Sequence, residues 1–293
     1  MRRDVPMQPT VFTPEAMARL ETAYPAAVAK LTHRLTSHAL LDLEALVGLA
    51  TALPAGAVEF NPGKLPIGIA PEDVPTPELG VAETIRSIKH AGAWMVLKRI
   101  ETHPDYAALL DGILDEIAPI VTPRTGAMLR REGFIFISSP GSVTPFHFDP
   151  EHNILLQVRG TKTMTLFPGN DEAMFDPQVH EAFHRGEHHR NLPWHEDYAA
   201  LGQPITITPG EAIHVPVKAP HWVQNHDAVS ISLSVTWRSE WSFAEADARA
   251  LNRIMRPVLR RAGMAPRSPA PWPARNLAKS LAYRALRKVG ADG

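Results

Sequence analysis

The chain contains no cysteine. Disulfides, thiolate metal sites and a cysteine nucleophile are thereby excluded. No apolar run reaches about 18 residues, so no transmembrane helix is expected. The opening Met1-Arg-Arg-Asp-Val-Pro lacks the apolar stretch of a secretory signal, and a soluble cytoplasmic protein is the expectation. No internal repeat is visible. Acidic residues are missing from Ala248 to Ala291, where eleven Arg and Lys fall, whereas residues 1–247 carry nineteen basic against thirty acidic residues. The net charge of −1 therefore hides an acidic body and a basic tail. Such a tail lies on an acidic body, its own or a neighbour's, or binds nucleic acid or anionic lipid. The basic residues are spread among Ala, Leu and Pro rather than clustered, which favours the first reading and leaves no strong nucleic-acid signal.

What is present is enough for a sizeable core. With 293 residues and 44% hydrophobic content, the chain can form one large domain or two small ones. The first 125 or so residues read as mostly helical. Thr13-Pro14-Glu15 starts a helix that Pro25 should break, 41–53 and 81–91 are further candidates, and His103-Pro104-Asp105 opens another. The stretch 61–79, with five prolines and two glycines, reads as a loop. From Gly133 the texture changes to short strands: 134–138, 153–159, 163–167, 205–207, 213–216 and 229–236. The last of these alternates strictly, Val, Ile, Leu, Val on one face against Ser, Ser, Ser, Thr on the other. Helix returns over 243–261, and a Pro-rich arm leads to a final helix over 274–289. Many short strands between turns predict a sandwich or barrel.

Two distant stretches carry the chemistry. His147 and Asp149 are two apart, and on a strand residues i and i+2 share a face. His221 lies 72 positions beyond Asp149 and joins them only if the fold lays two strands side by side. Two neutral imidazoles and one carboxylate suit Fe(II), and less specifically Mn, Co, Ni or Zn, and leave coordination positions open for cosubstrate and dioxygen.

The surroundings of these residues resemble a known superfamily. Gly141, five residues, His147-Phe-Asp149, three residues, Asn153, six residues and Gly160 resemble the first cupin motif, with Asp149 at its second His and Asn153 at its Glu. Gly210, five residues, Pro216-Val-Lys218, two residues, His221, three residues and Asn225 resemble the second, with Lys218 at its inner Gly. The exchange of His for Asp moves the resemblance toward the JmjC-type oxygenases. Thr144-Pro-Phe-His147-Phe-Asp149, then Asn153, Gln157, Gly160, Lys162 and Leu166-Phe-Pro168, is most similar to the branch that includes the asparaginyl hydroxylase of the hypoxia-inducible factor.

The resemblance implies a mainly β fold with helical additions: a JmjC cupin double-stranded β-helix, or jelly roll, over 126–240. A mostly helical region at 1–125 packs on it, and C-terminal helices occupy 241–293. It further implies an Fe(II)- and 2-oxoglutarate-dependent dioxygenase, with His147, Asp149 and His221 as metal ligands. Lys162 and Thr144 hold the far carboxylate of 2-oxoglutarate, and Asn153 bonds the cosubstrate or a metal-bound water. A buried carboxylate does need a cation and donors, or it would stay in water. The partners implied are 2-oxoglutarate, dioxygen, an unidentified protein or small-molecule substrate, and a second copy of the chain docked through the C-terminal helices. Phe136, Phe146, Phe148, Trp222 and Trp237 are candidates for a dry wall around the site.

Rival readings rest on named features. Cupin-like folds also serve as non-catalytic binding or regulatory modules, and metal cupins run other chemistry. Lys162 with Thr144 separates the oxygenase from the latter, because only an anionic cosubstrate explains both. His214 falls inside the Gly210–Pro216 spacer and is read as a pocket or core residue. The stretch 180–195 holds His180, His184, His188, His189 and His195. Lacking cysteine and any HExxH pattern, it is read as an exposed polar insertion between barrel strands, near the pocket mouth. The last helix, with Leu277, Leu281, Ala285 and Val289 opposed to basic residues, reads as a packed or dimer-forming helix, with membrane-surface binding as the alternative.

Overall fold

The computed structural model describes residues 10–63, 66, 67, 69, 80–169, 171 and 174–290. Helix α1 (Pro14–Ala23) begins where the Thr13 hydroxyl accepts the Ala16 N–H at 3.2 Å, with Pro14 in the first turn. Strand β1 (Ala29–Thr32) follows, then α2 (Leu43–Ala52), β2 (Val58–Pro62), α3 (Val81–Arg86), β3 (Ala93–Lys98) and α4 (Pro104–Thr125). Next come β4 (Met128–Ser138), β5 (Val143–His147), β6 (His152–Arg159), β7 (Lys162–Leu166) and α5 (Pro177–Phe183). The chain continues through β8 (Gln203–Ile207), β9 (Glu211–Val215), β10 (His221–Asn225), β11 (Ser230–Ser239), α6 (Glu240–Arg261) and α7 (Leu277–Lys288).

The strands form a jelly roll of two antiparallel sheets, one ordered β1-β9-β6-β11-β4-β3-β2 and the other β5-β10-β7-β8. The helices foreseen near 13, 41, 81, 104, 243 and 274 are present. Besides these helices, the first 125 residues contribute β1, β2 and β3, which the sequence reading did not foresee and which widen the larger sheet at both edges. Ala93-Trp-Met-Val-Leu97 has no periodicity because both its faces are buried, and a buried strand of that length reads like a helix segment. Most of the loop expected over 61–79 lies outside the described residues.

Strand β11 shows how the sheet divides space. Its apolar face, Ile231, Leu233 and Val235, meets side chains of α1, α2 and α4 in the main core. Its hydroxyl face is not solvated, as alternation alone suggests, but points between the sheets. There Ser232 donates to Gln157 Oε1 at 2.7 Å and Ser234 to Asn153 Oδ1 at 2.8 Å. A second apolar cluster, including Leu155, Met164, Ile213 and Val223, fills part of the space between the sheets. Gly160 turns β6 into β7 at φ 71°, and a Cβ there would collide with the Val229 carbonyl oxygen, so only glycine suits this turn.

The outer face of the larger sheet also buries histidines. His214 packs against Tyr24 with ring centroids 5.4 Å apart, and His152 stacks on Trp237 at 5.2 Å. His214 is therefore a core residue, as one of the sequence alternatives had it. Burial pushes the His214 imidazole from 6.5 down to about 4, and burial followed by the neighbouring His214 and Arg238 holds His152 well below 6.5. Both groups bind a proton more readily in the unfolded chain, so stability falls as pH drops below 6.5 toward 4. At pH 5.5 the loss is about 1 kcal/mol for each buried histidine. The urea midpoint should therefore decline between pH 7 and pH 5, and an unchanged midpoint would contradict neutral burial.

The basic tail lies largely on the body. Arg249 pairs with Glu245, Arg253 with Glu187, Arg256 with Glu181 and Arg284 with Asp247. Helix α7 packs on α6 through Ser280 and Tyr283, which corrects the expected face: Leu277, Leu281 and Val289 are exposed at 57%, 65% and 78%. Among the described residues, no helix is long and apolar enough to cross a membrane.

Candidate metal and anion site

Strands β5 and β10 are antiparallel neighbours, and their register sets His221 directly opposite His147. The two imidazole centroids are 4.3 Å apart. Asp149 lies two residues past the end of β5, not on the strand with His147, yet its carboxylate turns back to the pair. Oδ2 stands 3.9 Å from His147 Nε2 and 3.8 Å from His221 Nε2. One ligand atom from each residue fits within 4.8 Å of the other two, the only such group found among the described residues.

Each imidazole is held in one orientation. His147 Nδ1 contacts Pro145 O at 2.7 Å and His221 Nδ1 contacts Ala219 O at 2.9 Å. A carbonyl only accepts, so Nδ1 carries the proton and the Nε2 lone pairs face Asp149. Burial, then the neighbouring His221, holds His147 below its ordinary pKa, so it is neutral and able to ligate at pH 7. Burial opposes ionisation of Asp149, but His147, Arg190 and His221 outweigh it and keep the carboxylate charged. Arg190 Nη1 donates to Oδ1 at 2.9 Å, which leaves Oδ2 as the inward oxygen. Two inward-facing Nε2 atoms beside an anionic oxygen fit a divalent first-row metal ion.

The segment carrying Arg190 is the His-rich insertion, and it differs from expectation. Its residues 190–192 add to the edge of the smaller sheet: Asn191 bridges His147, and Leu192 N–H donates to Phe146 O at 2.9 Å. His180 and Glu181 are buried rather than exposed, since α5 sits on α6, where Arg256 binds Glu181 through two nitrogens. His188, His189 and His195 remain on the surface, as read from the sequence.

Behind the triad a cavity of about 470 Å³ opens between the sheets, lined by His147, Asp149, His221, Thr144, Asn153 and Lys162 together. Lys162 is 3% exposed and has no hydrogen-bond or carboxylate partner among the described residues; its ammonium lies 6.0 Å from the Phe136 ring centroid. Burial alone pushes its pKa from 10.5 to about 7. A buried ammonium without a partner is costly, and an anion entering the cavity would relieve the cost. Thr144 lines the same cavity, and its hydroxyl has no protein partner among the described residues. The Asn153 amide oxygen is taken by Ser234, which leaves its NH2 to donate inward.

The expected dry wall is mostly elsewhere. Phe136 lines the cavity, but Phe146 and Phe148 are sealed with Phe167 and Phe175 on the outer side of the smaller sheet, against which Trp222 also packs. Trp237 belongs to the main core. Along β5 the neighbours of His147 point away from it by the strand's alternation, a consequence the aromatic count alone conceals. The cavity instead gains Trp94, Val96 and Lys98 from β3 and Glu59 and Asn61 from β2. Sequence reasoning missed these residues, and the apolar run over 93–97 is the signal that could have marked β3 as a strand. Glu59 pairs with Lys98 and accepts from Asn61 at 3.1 Å, so this rim satisfies its own charges.

Comparison with known proteins agrees with this geometry. The sequence model of one family, described as a cupin-like domain, matches residues 93–243. Jumonji C domain-containing protein 5 of Drosophila melanogaster is 26% identical over 121 residues, which are 35% of this chain and 26% of that protein. The match thus spans about a quarter of that relative's length. Among solved structures, the X-ray structure of YcfD from E. coli has a TM-score of 0.51 at 14% identity, covering 97% of this chain and 69% of that one. A second YcfD structure, titled a ribosomal oxygenase from Escherichia coli, has a TM-score of 0.45 at 14% identity, covering 98% and 68%. At such identity the first likeness is one of fold, and the second carries no argument.

Proposed function

The chain belongs to the cupin-like domain family, with the JmjC-type oxygenases as its kin, and we propose that it is an Fe(II)- and 2-oxoglutarate-dependent hydroxylase. The observation that carries this reading is Lys162, a buried and unpartnered ammonium in the cavity that also holds the His147, Asp149 and His221 triad. A metal cupin with other chemistry has no use for that cation.

In this reading His147 Nε2, Asp149 Oδ2 and His221 Nε2 hold the ion, and Arg190 and the carbonyls of Pro145 and Ala219 keep those atoms aimed. Bound ferrous ion supplies oxidation of 2-oxoglutarate by dioxygen, coupled to hydroxylation of a second substrate. Lys162 and Thr144 take the far carboxylate of 2-oxoglutarate, a charge-assisted contact that also restores the lysine proton. Asn153 donates toward the cosubstrate end nearest the metal. Leu155, Met164 and Val223 exclude water from the cavity floor. The prime substrate enters past Trp94 and the Glu59–Lys98 rim and is a protein side chain or a small metabolite. A cytoplasmic location and a homodimer are part of the same proposal. The exposed Leu277, Leu281 and Val289 of α7 support the homodimer.

Anaerobically purified protein given Fe(II), ascorbate and 2-oxoglutarate should form succinate slowly in air without any prime substrate. Failure to form succinate, combined with no 2-oxoglutarate binding, would favour a non-catalytic cupin-like binding protein.

A further inference from the structure

The loop between β9 and β10 touches two of the three triad residues through its backbone. Lys218 donates its N–H to Asp149 O at 2.8 Å, and Ala219 O takes His221 Nδ1 at 2.9 Å. The opposite side of the loop is wedged by Gly169, where a Cβ would stand 3.0 Å from Lys218 O and Ala219 N. Lys218 itself has φ 63°, in the left-handed region. Residues other than glycine are strained there by the close approach of Cβ to the following carbonyl oxygen. This is the position where the second cupin motif has its inner glycine, which adopts that conformation freely. The chain keeps a strained lysine where glycine would sit at ease.

The side chain offers a reason. Lys218 Nζ and the Glu245 carboxylate on α6 form an ion pair only 2% and 3% exposed, and Glu245 also binds Arg249 one turn further along the helix. Burial by itself would raise the Glu245 carboxyl, but Lys218 and Arg249 reverse this and hold it far below the usual carboxylate range. Buried pairs of this kind are often no more stabilising than apolar side chains of the same volume. Stability therefore does not account for a buried charge placed on strained backbone, whereas its location does: the pair ties α6 to the loop that orients Asp149 and His221.

We propose that Lys218 and Glu245 form a positioning latch, through which helix α6 fixes the loop that aims Asp149 and His221. The C-terminal helical region is then part of the metal site rather than an appendage. The latch rests on the reading that the triad binds a divalent metal, and the experiment separates the two.

Co(II) is titrated into the full chain while its visible absorption is followed, with the urea midpoint measured alongside. Binding to the wild type that His221→Ala removes supports the metal reading, and its absence overturns that reading and the latch with it. Lys218→Gly is the variant best able to fold, because glycine suits φ 63° and Arg249 still pairs with Glu245. The latch predicts that Lys218→Gly raises the Co(II) Kd roughly ten- to a hundred-fold and alters the absorption band. Lys218→Met, which keeps the length of the stem without its charge, should do the same, so the outcome does not depend on one variant folding. A merely structural role would lower the urea midpoint and leave the Kd and the band alone. Co(II) affinity within two-fold of wild type in either folded variant overturns the latch and leaves the metal reading standing.

Discussion

His221→Ala is expected to lower metal affinity at least about a thousand-fold, a loss of roughly 4 kcal/mol, and to abolish succinate formation. His221 is one of three ligand atoms grouped within 4.8 Å, and alanine leaves two ligands with no compensating donor. His214, the remaining histidine of the second motif, is on the far face of the larger sheet with Nδ1 at 3.0 Å from Ala27 O, so it cannot take over. The fold should tolerate the change, since β10 keeps its backbone pairing with β5 and β7. Equilibrium titration with Mn(II) or Co(II), next to a urea melt, checks both parts. Retained metal binding with unchanged affinity would mean that the three side chains do not act as one site. Surface His188, His189 and His195 could bind metal on their own, so the titration should include a His188→Ala/His189→Ala control, which is expected to leave the tight site intact.

The second large effect is expected at Lys162. Lys162→Met should weaken 2-oxoglutarate binding by roughly a hundred-fold or more, a loss of about 3 kcal/mol or more, since a buried carboxylate would lose the one cavity cation without an acidic partner among the described residues. The same substitution should raise the stability of the metal-free, cosubstrate-free protein. Its ammonium is buried without a partner, and methionine fills nearly the same volume at no charge cost. Opposite signs in the two measurements distinguish a binding lysine from a structural one. The pH dependence carries an independent check. With the folded pKa near 7 and the unfolded value near 10.5, the unfolded chain binds more protons between these limits. Stability of the empty protein therefore rises with pH across that window and is flat below it with respect to this group. Cosubstrate binding needs the charged form, so it should take up a proton above pH 7 and weaken as pH rises. Calorimetry in buffers of differing ionisation heat measures that proton. Binding that is indifferent to both pH and Lys162→Met would remove the cosubstrate assignment even if metal binds.

The triad was legible because its information is local. Within each stretch the spacing of His147, Asp149, His221, Gly160 and Gly210 constrains turns and strand faces. Lys162 and Thr144 were legible only through resemblance, because nothing in a lone lysine at a strand start says that it points inward. The structure supplied that: Lys162 is opposite Asn225 in the sheet, buried beside Phe136, with no acid paired to it among the described residues. The aromatic wall was misread for a related reason. Phe146 and Phe148 flank His147, yet alternation sends them to the opposite face, under Phe167 and Phe175. Glu181 was read as exposed because its partner, Arg256, lies 75 residues away, and His180 because its packing against Phe148 is set by the fold. Polar residues in sequence look solvated until a distant opposite charge is folded onto them.

By itself the amino-acid sequence determined the two-His, one-carboxylate set, the turns that space it, and the change from helical to β texture near Gly133. Those properties depend on backbone preference and on periods of two or three to four residues, which act over short stretches of chain. Only the tertiary structure decided which strands of the first hundred residues close the cavity, which charges are left unpaired inside it, and that Lys218 reaches Glu245. Those outcomes are set by contacts between elements tens of residues apart, which bury Lys162 beside Phe136 and pair Lys218 with Glu245.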